Sequence, residues 1–181
     1  VHWRSNTQRW GAIAVTLHWL VALLVFEQFA LGWWMTDLTL YDRWYHRAPA
    51  IHKGIGSLLF LLLLVRVGWR LYNGRPQALA GHRRWERVVA AYTHLALYLL
   101  LFGVMVSGYL ISTADGRGID VFGLFTVPAT LQGIDHQEDV AGASHLVLAV
   151  TLIALALLHA GAALKHHFID RDRTLRRMLG W

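Results

Sequence analysis

The segment SHLVLAVTLIALALLHAGAALKHHF, residues 144–168, decides the fold. It is long and apolar enough to cross a bilayer, yet it carries His145 and His159 within it and His166 and His167 at its end. Leucine, alanine and valine alone would make a span, so an imidazole placed in hydrocarbon needs a reason. On a helix, the fourteen residues from His145 to His159 fall only ~40° short of four full turns, which puts both rings on one face. Their axial separation is roughly 21 Å at 1.5 Å per residue. In a hydrocarbon core ~30 Å thick, that spacing sets one ring towards each surface. Two stacked sites are implied.

Working outward, three further apolar stretches accompany this one, and together the four run over residues 11–34, 51–72, 88–111 and 140–164. Each is near the ~20 residues a membrane helix requires. A chain of 181 residues that is 56% hydrophobic and 15% charged is too apolar for an ordinary soluble domain. The reading is an all-α integral membrane four-helix bundle forming one transmembrane domain over residues 1–181. Of nine tryptophans, Trp10, Trp33, Trp34, Trp44, Trp69 and Trp85 fall at span ends, where amphipathic rings anchor helices at the headgroups. No cleaved signal peptide is expected, since the first stretch is long, lacks a small-residue cleavage site and contains His18; Val1 points to a missing initiator region.

Charge gives the orientation. Arg4, Arg9, Arg66, Arg70, Arg75, Arg83, Arg84, Arg87, Lys165, Arg171, Arg173, Arg176 and Arg177 lie on one side; only Arg43, Arg47, Lys53 and Arg117 lie on the other. Cations near span ends stay cytoplasmic, so both termini and the loop NGRPQALAGHRRWER, residues 73–87, are expected in the cytoplasm. Topology and anionic lipid headgroups account for the net charge of +6 without nucleic acid. The long external segment, residues 112–139, reads as an ordered loop with one short helical turn. The chain has no cysteine, which excludes disulfides, iron–sulfur clusters and covalently attached c-type haem.

Depth sorts the remaining histidines. His52 lies level with His145 at the external side, while His18 and His94, each seven residues into a span, lie level with His159. Ionisable groups in a span face the bundle interior, so an external pair and an internal trio result. Pairs of imidazoles without thiolate or carboxylate suit bis-histidine b-type haem better than zinc or copper, which more often take a fuller ligand set. Interhelical hydrogen bonding is the plainer alternative. Gly54, Gly56 and Gly161 flank the proposed sites and leave room for a flat macrocycle, although small residues also serve close helix packing.

The stretches TLHWLVALLVF (16–26), AIHKGIGSLLFLLLLVRVGWRL (50–71), YTHLALYLLLFGVMVSGYL (92–110), VFGLFTVP (121–128) and the run from His145 to Leu179 together resemble the bacterial four-helix cytochrome b561 family, nearest its superoxide oxidase branch. The pattern is similar, more distantly, to the cytochrome b anchors of nickel–iron hydrogenases and formate dehydrogenases. The resemblance covers nearly the whole chain and implies a bacterial inner-membrane, multi-pass protein with two non-covalent haems. It implies His18 with His159 around the cytoplasmic-side haem and His52 with His145 around the external one. His94 then touches haem or quinone, and His166 is implied as the neighbour of ubiquinone. The implied reaction passes electrons from superoxide through both haems to ubiquinone.

Arg43, Arg47 and Lys53 stand before or beside His52, where they suit local attraction of an anion or pairing with haem propionates. The external segments carry four cations against seven carboxylates, net −3, so global steering of superoxide is not expected. His166, His167 and Lys165 could supply protons to a quinone, and equally form the basic end of a membrane helix. Glu27, in the outer half of the first span, has no role in the resemblance. Three other readings use the same residues: ubiquinol oxidation towards an external acceptor, a haem-containing anchor for a periplasmic redox partner, and a transporter without haem.

Overall fold

The structure is a computed structural model, and it describes residues 2–180 apart from 75, 78 and 80. Val1, Arg75 and part of the loop quoted above therefore lie outside the described residues. Four long helices account for most of the chain: α1 Ala12–Met35, α2 Arg47–Asn73, α3 Arg84–Thr113 and α4 Gln137–Phe168. A short α5, Thr174–Met178, follows. All four long helices are long and apolar enough to cross a membrane. Helix is what such sequence must form there, because lipid offers no partner to a free backbone N–H or C=O.

Local chemistry sets several helix ends. Pro49 sits in the first turn of α2, where its missing N–H costs no hydrogen bond. At the start of α3 the Arg83 amide donates to Glu86 Oε2 at 2.7 Å, the return half of a capping box. Glu138 and Asp139 open α4, and Lys165, His166 and His167 close it, in keeping with the helix dipole. Leu23, Leu61, Leu99 and Leu158 are among the many large apolar side chains left exposed, as lipid-facing positions are.

Packing falls into two compact units. The terminal unit takes Val1–Ala22, Leu62–Tyr98 and Ala154–Trp181. In it the chain ends are tied to the helices: Arg4 donates to the Tyr72 hydroxyl, Asn73 Nδ2 to Ser5 Oγ, and Trp19 Nε1 to the Met178 carbonyl. The hairpin unit takes Leu23–Leu61 and Leu99–Ile153, with Ala48, Leu59, Leu101, Val121, Ala141 and Leu152 buried.

The segment 112–139 departs from the sequence reading. In place of a helical turn it forms a two-stranded antiparallel hairpin, β1 Ile119–Val121 and β2 Phe125–Val127, with Ile119 opposite Val127. The turn explains it: Phe122 and Gly123 both take positive φ, 55° and 72°, and so reverse the chain. Tyr109 locks the far end: its hydroxyl donates to the Pro128 carbonyl at 2.9 Å and accepts from the Thr130 amide at 2.8 Å. Phe122 lies against Gly54 of α2, where any Cβ would meet its ring.

Buried Gln137 joins the loop to α3 by donating from Nε2 to the carbonyls of Leu110 at 2.9 Å and Leu131 at 3.1 Å. Gln137→Leu removes a donor from the Leu110 carbonyl, while the Leu131 carbonyl keeps the Thr113 hydroxyl at 3.1 Å, and should cost about 1–3 kcal/mol. The check is a lower thermal midpoint in detergent with unchanged helicity.

Candidate functional site

The imidazoles meet in pairs. In the hairpin unit the rings of His52 on α2 and His145 on α4 have centroids 6.2 Å apart, with planes crossed at 77°. In the terminal unit those of His18 on α1 and His159 on α4 are 6.4 Å apart and crossed at 82°. Two imidazoles bound to opposite sides of one metal, each by a bond of ~2.0 Å with ~1.15 Å more to the ring centre, stand ~6.3 Å apart. Both pairs have that spacing. His94 on α3 lies closer to His159, with centroids 5.1 Å apart, which is too near for a metal in line between them. Among the inner three, spacing therefore separates His18 with His159 from His94.

Neighbouring polar groups orient the rings. His145 Nδ1 lies 3.0 Å from the Val104 carbonyl and 3.1 Å from Ser107 Oγ. A carbonyl only accepts, so Nδ1 carries the proton and Nε2 is left with a free lone pair. Ser107 itself, buried, donates to backbone carbonyls of its own helix. Glycine makes the approach possible, because a Cβ on Gly108 would stand 3.1 Å from His145 Cε1 and one on Gly32 3.1 Å from His52 Cε1.

Around the outer pair lies an apolar cavity of about 580 Å³ lined by His52, His145, Gln28, Lys53, Ser57 and Tyr109 among aliphatic and aromatic side chains. Pockets of ~300–1,000 Å³ accept cofactor-sized ligands. Gln28 Nε2 and His52 Nδ1 are buried there without hydrogen-bond partners, which suits a ligand bringing acceptors of its own. Of the three cations singled out from sequence, Lys53 borders this cavity; Arg43 and Arg47 are exposed and do not line it. Glu27 is exposed on α1.

The inner trio is bordered by residues the sequence reading did not single out for this role. Arg66 Nη2 lies 3.0 Å from His18 Nδ1, and Arg66 Nε donates to the Tyr98 hydroxyl at 3.1 Å. Arg70 stacks over the same tyrosine ring. A guanidinium only donates, so binding a metal through His18 Nε2 requires Arg66 to turn to another acceptor. Its buried Nη1 has none as it stands, and a haem propionate is an acceptor of that kind. The residues of both pairs thus fit a b-type haem.

At the end of α4, His166 Nδ1 lies 2.9 Å from both Asp170 Oδ2 and Asp172 Oδ2. His167 does not join this group and packs edge-on against Phe168. Asp172 arrives by a reversal at Arg171, whose φ of 56° is uncommon for a side-chain-bearing residue. Burial alone would raise the Asp172 pKa, but the amide and hydroxyl of Thr174, the His82 ring and the nearby His166 together hold it down to about 2. A carboxyl depressed on folding stabilises above its unfolded value of 3.8 and loses that contribution as pH falls towards 2. Asp172 therefore keeps this contribution at neutral and mildly acid pH.

Comparison with known proteins agrees with this architecture. A family model described as prokaryotic cytochrome b561 matches residues 9–181. Cytochrome b561 homolog 2 of Escherichia coli is 53% identical over 97% of this chain and 94% of its own length. Cytochrome b562 of Cereibacter sphaeroides is 31% identical over 92% of each chain. A protein named probable superoxide oxidase CybB, from Yersinia pestis, is 28% identical over 95% of this chain and 96% of its own.

Gly108→Val places branched carbons against His145 and should displace its ring from His52. The expected result is lower Soret absorbance per protein in the haem-loaded chain, with helicity retained.

Proposed function

We propose, because the chain belongs to the prokaryotic cytochrome b561 family and so is a multi-pass inner-membrane b-type haem oxidoreductase, that it carries electrons from superoxide on the periplasmic side to ubiquinone on the cytoplasmic side. The observation that carries the two-site reading is the pair of crossed imidazole couples at 6.2 and 6.4 Å. His52 with His145 would hold an external haem, and His18 with His159 an internal one. Held by such imidazole couples, a b-type haem would supply one-electron outer-sphere transfer.

The protein's own residues do the rest. Nine more Arg and Lys on one side than on the other favour termini in the cytoplasm. Lys53, exposed beside the outer cavity, would attract an anion locally; Arg43 and Arg47 are exposed but do not line the cavity. The apolar lining of the outer cavity limits water, and the Val104 carbonyl fixes the His145 tautomer. Two superoxide anions each give up one electron and leave as dioxygen, while one ubiquinone takes two electrons and two protons. His166 would donate protons to the quinone; its Nδ1 lies 2.9 Å from carboxylate oxygens of Asp170 and Asp172. His94, beside His159, packs against the inner site. Support for superoxide as donor comes from the resemblance and from the 28%-identical relative's name.

Stopped-flow spectroscopy on the detergent-purified, haem-loaded chain tests this. Superoxide should reduce the haem rapidly, added ubiquinone should reoxidise it, and pyridine haemochrome should give two haems per chain. Sluggish reduction would instead point to ubiquinol oxidation or to a periplasmic donor protein. His145→Ala should leave one haem per chain; loss of both from a folded variant would overturn the two-site assignment.

A further inference from the structure

One histidine near His166 has no part in the scheme above. His82, in the connection between α2 and α3, brings Nε2 to 2.9 Å from Asp172 Oδ2, the same oxygen that lies 2.9 Å from His166 Nδ1. The two rings are stacked at a tilt, with centroids 4.8 Å apart, and the three donor atoms lie within 4.8 Å of one another. We infer that His82, His166 and Asp172 form a binding site for a divalent transition-metal ion of the zinc type.

Three observations carry the inference. The donor set of two imidazoles and one carboxylate is one that zinc uses with a fourth position open, whereas magnesium and calcium favour oxygen ligands. Donors ~2.0–2.1 Å from a tetrahedral ion stand ~3.3 Å from each other, so small side-chain rotations reach the geometry from the separations seen. Second, His166 Nδ1 is buried and makes no aligned hydrogen bond although two carboxylate oxygens lie 2.9 Å away. The nitrogen is thus directed at neither oxygen, as donors around a shared centre are. Third, Asp172 is fixed in place from two sides. Its other oxygen, Oδ1, accepts from the Thr174 amide at 2.7 Å, and its own amide donates to the His166 carbonyl at 3.0 Å. Such outer contacts orient metal ligands.

Local charge permits a cation. Lys165 Nζ is paired with Asp170 at 2.7 Å and lies 4.0 Å from Glu86, so two carboxylates already offset the nearest ammonium. An ion on His166 Nδ1 would take the lone pair that carries the proton and so slow quinone reduction; this consequence rests on the role proposed for His166, whereas the binding site does not.

The test is a titration of the haem-loaded full chain in detergent with Zn²⁺ against a chromophoric chelator, with Mg²⁺ as control. One saturable Zn²⁺ per chain is expected, unaffected by excess Mg²⁺. His82→Ala and Asp172→Asn should each weaken it about tenfold or more with the haem spectrum intact, while His46→Ala and His136→Ala should not. Absence of saturable binding, or unaltered binding in both ligand variants, would overturn the site. Saturable binding that leaves ubiquinone reduction unslowed would keep the site and sink the proton role of His166.

Discussion

An imidazole in a hydrocarbon slab must be given something to do with both its nitrogens, and the rest of the structure follows from that constraint. Helix α4 carries two such rings on one face. Each is met by a histidine from another helix at nearly the same distance and with nearly perpendicular planes. Polar groups meet these couples: Ser107 and the Val104 carbonyl lie on His145, and Arg66 lies on His18. The remaining intramembrane surface is left to leucine, valine and phenylalanine, for which lipid is an adequate neighbour.

Much of this was legible in the sequence because it depends on period and depth. Residue spacing along α4 put His145 and His159 on one face, and counting into each span put His52 at the outer level and His18 and His94 at the inner one. Depth does not separate the inner three, because it says nothing of lateral distance; the rings of His18 and His94 stand 6.4 and 5.1 Å from that of His159. Arg66 read only as a cytoplasmic flank, since its cation count is the same whether it points to headgroups or turns inward to His18. The hairpin was missed for a related reason: three-residue strands are too short to show an alternation, and a positive φ at Phe122 leaves no mark in composition.

The cluster at the end of α4 was half visible. KHH announces a basic helix end, and His166 was picked out by resemblance. Its partners were not, since Asp172 comes back only through a left-handed residue at Arg171 and His82 comes from some eighty residues earlier. Local pattern carries no record of such returns. The family, by contrast, was legible throughout, because short motifs in a fixed order over nearly the whole length are what a family model also measures.

The contact between Phe122 and Gly54 carries a consequence for divergence. The ring at the hairpin tip occupies the space where a side chain at position 54 would begin, two residues along α2 from His52. Neither position is then free to drift alone. A sequence that acquires alanine or serine at 54 must shrink or redirect the residue at 122, and the two columns should therefore covary among chains that keep this hairpin.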